Sequence, residues 1–391
     1  MTFNKVQNKI LVASAAAYCI ANIGWWVQPS LIYEVIVRYR VRESEAGLVA
    51  SAEMTAIALG SVLFAKLITK IPLLQIALVG AVVALIGAAL SIVVQDYNFL
   101  LMSRSVTGLG EGAMLAVASA SLASFKDPDK AYGKINIVAI LFGSAAVFSL
   151  PITAKYFSIE HNVFPTIFVG IAILSLLIPF MPKDLNHDEG HLSSAPVAHD
   201  VLSWKLLSLI IGVFIVSVTT GAMWSFYYLL GDRAGLNEEQ IHNAVAIAAL
   251  ISVFGALLAT LIGAKFGRFL PITLGIIVLT IAIAAMSHSH HPLVFRIGAV
   301  LIVAGTYFLV PYFLGYAAAQ DPSGRDAAIV AGSFLLTGAV GPYLGGFIIE
   351  TFGVGSIAMI VICTNLIAWL SFFVVDRGQK TNSSAPTPLH R

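Results

Sequence analysis

Arg104-Ser105-Val106-Thr107-Gly108-Leu109-Gly110-Glu111-Gly112 lies in the middle of an apolar segment, 98–124. A cation and an anion two helical turns apart, inside a stretch that otherwise excludes charge, do not belong to a soluble helix with a polar face. An ion in a bilayer costs several kcal/mol, so intramembrane ionisable residues mark solute or proton paths. The surrounding sequence says that this segment is one of many that cross a membrane. Of the 391 residues, 58% are hydrophobic and only 11% charged, against about a quarter charged in soluble domains. Charge is confined to short patches between runs longer than the roughly 18 apolar residues that a spanning helix needs.

Spans are expected near 10–37, 46–69, 72–94, 98–124, 131–157, 163–181, 204–230, 239–264, 269–287, 293–319, 326–350 and 354–375. All should be helices: only helices and closed barrels satisfy the backbone in lipid, and the alternating ten-residue segments of a barrel are missing. The expected layout is an N-terminal six-helix bundle (1–181), a polar linker (182–203), a C-terminal six-helix bundle (204–376) and a disordered tail (377–391). Lys5 and Lys9 before Ile10 imitate a signal peptide, but the apolar run continues through Trp25 and Trp26 and reads as a retained span.

Lysine and arginine set the orientation. With both termini cytoplasmic, fifteen of the 22 basic residues fall inside and six outside; the remaining one is Arg104. The expected site is a bacterial inner membrane. No basic patch is dense enough for nucleic acid. Cys19 and Cys363 read as small apolar residues, and His288, His290 and His291 as a solvated loop, so no disulfide, metal or cofactor is expected. No phosphate loop or nucleophile elbow appears, so the chain does not read as an enzyme, and energy must come from an ion or solute gradient.

A repeat at an offset near 195 supports duplication. Ala65-Lys66 echoes Ala264-Lys265, Asp127-Pro128 echoes Asp321-Pro322, and Val41–Ala46 echoes Leu236–Ile241. Asp-Pro reads as an N-cap and first helical residue, and Asn237 with Gln240 as a capping box.

Six plus six helices with a central linker and a parallel repeat resemble the major facilitator superfamily. Leu101, Arg104, Gly108, Gly110 and Ala113 look like the fourth-helix motif of its proton-coupled members. The Arg104-to-Glu111 spacing is similar to spinster-type and organic-anion-type branches. Gly338, Gly341-Pro342 and Gly345-Gly346 in span eleven resemble a Gly-Pro…Gly-Gly motif that marks span five in drug:proton antiporters, where this chain has only Gly143, Ser144 and Pro151. The resemblance implies a two-half bundle of twelve helices around a central cavity, a gate at the loop after span two, and a solute site lined by span one. Lys66, Lys265 and Arg268 would be the basic gate residues, although Ala65 and Ala264 stand where the family has an acid.

Seven residues cover about 10 Å of helix and about two turns, so Arg104 and Glu111 share a face, with Glu111 near the midplane. Glu34 and Glu53 come to a depth comparable with Arg104. Three acids and one arginine are unfavourable together in low dielectric, so one acid is expected to hold a proton. Glu111 is the first choice, then Glu34, then Glu53. Against this stand a static pair of Arg104 with Glu34 or Glu53, and a Glu34 that simply snorkels to Arg38. Trp25, Trp26, Gln28, Arg104, Trp224, Tyr228, Tyr307 and Tyr312 are solute-site candidates, since such side chains offer flat apolar area with polar tips. The bland alternative for Tyr228 is an interfacial belt. Pro151 and Pro342 are hinge candidates in equivalent spans.

The expected function is proton-coupled movement of a small organic solute, anionic or amphipathic, by alternating access of a monomer in the lipid bilayer. The alternatives are a drug or amphiphile:proton antiporter, and an uncoupled facilitator or lipid transporter of the same fold. Amphiphile movement would need a lateral apolar opening.

Overall fold

The apolar runs become helices because, in lipid, only intrahelical bonding satisfies every N–H and C=O. The computed structural model describes residues 2–68, 70–125, 128–157, 162–182, 203–320 and 325–383. Its helices are α1 (Thr2–Tyr39), α2 (Glu43–Leu67), α3 (Leu73–Val93), α4 (Tyr97–Ala123), α5 (Pro128–Phe157), α6 (Val163–Ser175), α7 (Trp204–Ser225), α8 (Tyr227–Arg233), α9 (Glu238–Ile262), α10 (Phe269–His288), α11 (Pro292–Gln320), α12 (Arg325–Phe352) and α13 (Ser356–Ser383). Twelve spans among the described residues are long and apolar enough to cross a bilayer. The seventh is broken at Phe226 (φ −110°, ψ 23°), so α7 and α8 together occupy it.

Helix ends follow local chemistry. Asp96 accepts from the N–H groups of Asn98 and Phe99 and starts α4. Asn237 and Gln240 form the reciprocal capping box that opens α9, at 2.9 and 3.2 Å. The Asp-Pro acids, Asp127 and Asp321, and linker residues 183–202 lie outside the described residues. At the C-terminus the helix overrides composition. Residues 377–383 continue α13, where composition predicts a disordered tail; 384–391 lie outside the described residues.

The packing repeats itself. In the first half α2 lies on α4, α3 on α4 and on α6, and α1 on α5 and on α6. In the second, α9 lies on α11, α10 on α11 and on α13, and α7 on α12 and on α13. Each pairing recurs six spans later. The halves meet through α2 on α12 and α5 on α9, which are the same pairing with the halves exchanged. This is the pseudo-twofold of a duplicated bundle.

Close approach at the first half's core requires missing side chains. A Cβ on Gly108 would strike the backbone carbonyl of Glu53, and one on Gly110 the backbone N–H of Ala84. Glycine therefore lets α4 sit against α2 and α3 at backbone contact. That contact brings the Glu53 side chain to the face carrying Arg104.

Candidate functional site

Arg104 is fully buried and pairs with Glu53, not with Glu111. Its Nε donates to Glu53 Oε2 at 3.0 Å, and its Nη2 donates to Oε1, which makes a two-pronged fork. The pair presses on α1 at Gly24, where a methyl group would collide with Glu53 Oε1 and come within 3.6 Å of Arg104 Nη2. Phe164 at the start of α6 covers the guanidinium, with its ring centre 6.0 Å from Arg104 Cζ. Arg104 Nη1 keeps no hydrogen-bond partner.

Glu111 is also fully buried. Its side chain lies within the field of both Glu53 and Arg104. Neither of its oxygens receives a hydrogen bond from a donor, and the group it approaches, Glu53, is itself an acceptor. Gln28 is 1% exposed, and both atoms of its amide are likewise without a partner.

Glu34 is placed elsewhere. Its Oε2 accepts the Val163 N–H at 2.9 Å and caps α6, and Arg38 Nη1 lies 3.9 Å from its other oxygen. Arg38 in turn donates to the carbonyls of Ile92 and Val94 at the end of α3. Glu34 thus serves helix ends, and its share in the Arg104 cluster falls away.

The aromatic candidates divide. Trp25 is half-buried, and its ring comes within 3.7 Å of a Cβ placed on Gly221 of the opposite half. Trp26 is buried on Gly143 of α5, inside its own half. Trp224 donates its indole N–H to the Trp25 carbonyl at 2.9 Å. Tyr228 stacks on Tyr33 with ring centres 5.2 Å apart and receives the Ser30 hydroxyl at 3.2 Å. Tyr228 is thus buried in the seam between halves, not held in a lipid-facing belt. Tyr307 is half-buried on α11, within electrostatic reach of Tyr18 of α1. Tyr312 is 5% exposed and reaches the Ala259 carbonyl within its own half, which makes it a packing residue of α9 and α11.

The gate candidates lie on other surfaces. Lys66 is exposed. Lys265 Nζ bonds Leu261 O at 3.3 Å at the end of α9, and Arg268 lies over Gly315 of α11, its Nε 3.1 Å from the Cβ that glycine lacks. Pro151 is inside α5, where Asn162 donates to the Leu150 carbonyl. Pro342 lies on the α2–α12 seam, its carbonyl filling the space where Gly47 has no side chain.

Sequence reading missed the fastening at the far end of that seam. Arg42 pairs with Glu350 at 2.7 Å, Ser44 donates to the same carboxylate, and the Tyr343 N–H donates to Ser51 Oγ at 3.1 Å. The hydrogen bond to Glu45 and the charge of Glu350 raise the Arg42 pKa further. With Ser30, Tyr33 and Tyr228, these contacts bind the two halves to each other at the Arg42 end. Glu350, a lone acid closing span eleven, was the available signal.

The sequence matches the Major Facilitator Superfamily over residues 14–327. The chain belongs to that superfamily. Its fold is shared with a bacterial homologue of the human lysosomal transporter Spinster, solved inward-facing and unoccupied. That likeness has a TM-score of 0.76 at 16% identity and covers 98% of this chain and 99% of the other. The nucleoside transporter NupG gives 0.77 at 11% identity over 95% and 98%, and a D-xylose–proton symporter 0.73 at 14% over 92% and 95%. No curated protein sequence matches the chain. As a superfamily member it is an integral, multi-pass transporter rather than an enzyme.

Proposed function

We propose that the protein is a proton-coupled secondary transporter of a small organic solute, with Glu111 as the group that takes and releases the proton. The observation that carries this is a fully buried carboxyl with no donor to either oxygen, set beside a second carboxyl whose partner is Arg104. A proton shared between Glu111 and Glu53 satisfies the cluster. Losing it leaves two acids against one arginine in low dielectric, which favours rearrangement of the fork. Alternating access then links that rearrangement to which mouth is open. Glu53 already fills the Arg104 fork, so solute recognition is assigned to Trp25, Tyr307 and the seam around Gly221. The working unit is a monomer, with the Arg42 end outside and both termini cytoplasmic in a bacterial inner membrane.

The test is flux into proteoliposomes under an imposed pH gradient, screened over organic acids, sugars and nucleosides. Glu111→Gln should abolish gradient-driven accumulation while leaving downhill exchange. Full accumulation by that variant would overturn the assignment.

One observation favours a second reading. An apolar groove of about 530 Å³ opens sideways between α2, α4 and α12, lined by Leu48, Leu59, Leu109, Val340 and Leu344 among others. An uncoupled transporter of amphiphiles would use such an opening. Flux indifferent to pH and to uncouplers would favour it.

A further inference from the structure

Pro29 lies inside α1 and has no N–H to return to the carbonyl four residues earlier. That carbonyl belongs to Trp25. Its donor comes from the other half of the molecule, the indole of Trp224 on α7, at 2.9 Å. Trp224 is only 5% exposed. The bond is partly buried, and a carbonyl withdrawn from water without a donor is costly. Pro29 keeps the acceptor free, and Trp224 occupies it.

The position of the bond gives it a role. Trp25 presents its half-buried ring to Gly221, one turn before Trp224 on α7. Just beyond Pro29, Ser30 and Tyr33 close on Tyr228. The Trp25 backbone is thus fastened where the solute-facing part of α1 meets the shut mouth. A 2.9 Å bond between halves cannot survive their separation at this end.

We propose that Pro29, Trp25 and Trp224 form an inter-half latch. In it Trp224 is the positioning residue: it holds the Trp25 ring in the solute path while the Arg42-end mouth is shut, and must release it for that mouth to open. The latch rests on the alternating-access reading above and makes no use of Glu111. Its two supports can be removed separately. Trp224→Phe keeps most of the apolar bulk and deletes the donor. Pro29→Ala keeps the donor but gives α1 an N–H that competes for the same carbonyl.

The readout is the rate at which a bulky polar maleimide labels the Ser30→Cys variant in nanodiscs, with Cys19 and Cys363 replaced by Ala. Ser30 is 3% exposed and belongs to the closed contact with Tyr228, so labelling reports opening. One buried hydrogen bond shifts a two-state population by about threefold to tenfold. Each single variant should speed labelling by about that factor, and the double variant by no more than the larger single effect, because both act on one bond. If Trp224→Phe fails to fold, Pro29→Ala reads the same bond from the other side. Unchanged labelling in the folded single variants, or a double effect equal to the product of the singles, would overturn the latch. Adding Glu111→Gln separates the two readings. Loss of proton-driven accumulation with the labelling pattern intact upholds both; full accumulation with the pattern intact sinks the proton reading alone, and loss of accumulation with labelling unchanged by Trp224→Phe and Pro29→Ala sinks the latch alone.

Discussion

Glu53→Gln removes the carboxylate that holds the Arg104 fork and leaves a guanidinium buried at 0% exposure. Breaking one side of a buried pair costs about 3–5 kcal/mol, because the remaining charge loses its counterion. Arginine cannot relieve this by shedding its proton. With an unfolding entropy of about 2.1 cal/mol/K per residue, 391 residues give about 0.8 kcal/mol/K, so the loss corresponds to a Tm drop of about 4–6 °C. Glu111 is the nearest reserve acid, and Arg104 Nη1 is free to meet it. Glu53→Gln/Glu111→Gln should therefore fall further than the sum of the two singles. Glu53→Gln/Arg104→Gln, which removes both charges, should recover to within about 2 °C of wild type, since a neutral replacement of a buried pair is often near neutral. The assay is thermal unfolding in one detergent at one scan rate, because membrane-protein melts are commonly irreversible. Equal melting of all four variants, or a charge-free double variant at least as unstable as Glu53→Gln, would refute the reasoning.

Gly108→Ala places a methyl group on the Glu53 backbone carbonyl; overpacking of this kind costs about 1–3 kcal/mol and should lower both Tm and flux. Arg42→Gln breaks an ion pair whose arginine is 66% exposed; Tm should move by less than about 1 °C, while maleimide labelling of the Ser30→Cys variant rises modestly and about 1 M salt mimics the change in the parent protein. Asn237→Ala removes the N-cap of α9 and should cost about 1 kcal/mol. Restoring most of that by Asn237→Ser in the same thermal assay would identify the cap as the cause.

The fold was legible because its causes are local and repeated. Long apolar runs become helices whatever their neighbours do, and the return of Ala65-Lys66 as Ala264-Lys265, 199 positions on, marks the duplication seen in the pairings of α2 with α4 and α9 with α11. Local capping was readable at Asn237 for the same reason. At 377–383 composition and helix differ because composition measures the tendency of a free chain. Residues 377–383 are not free: they continue a helix already nucleated from Ser356 onward through a mostly apolar run.

The site was legible as a list of charges and not as a set of partners. Helical periodicity puts Arg104 and Glu111 on one face, but a shared face is a property of α4 alone. Which acid takes the arginine depends on how closely α2 approaches, and that is decided by Gly108, where backbone meets backbone, and by Gly24, which leaves room for the paired side chains. Depth could not separate Glu34 from Glu53, since the span assignments put both at a similar level. Direction did: Glu34 points to the end of α6 and spends its charge on the Val163 N–H, and Glu53 points to α4. The consequence is functional. If Glu111 held the arginine, its charge would be fixed by a permanent counterion. Because Glu53 holds it, Glu111 is left without a counterion of its own, and the proposed proton coupling rests on that freedom.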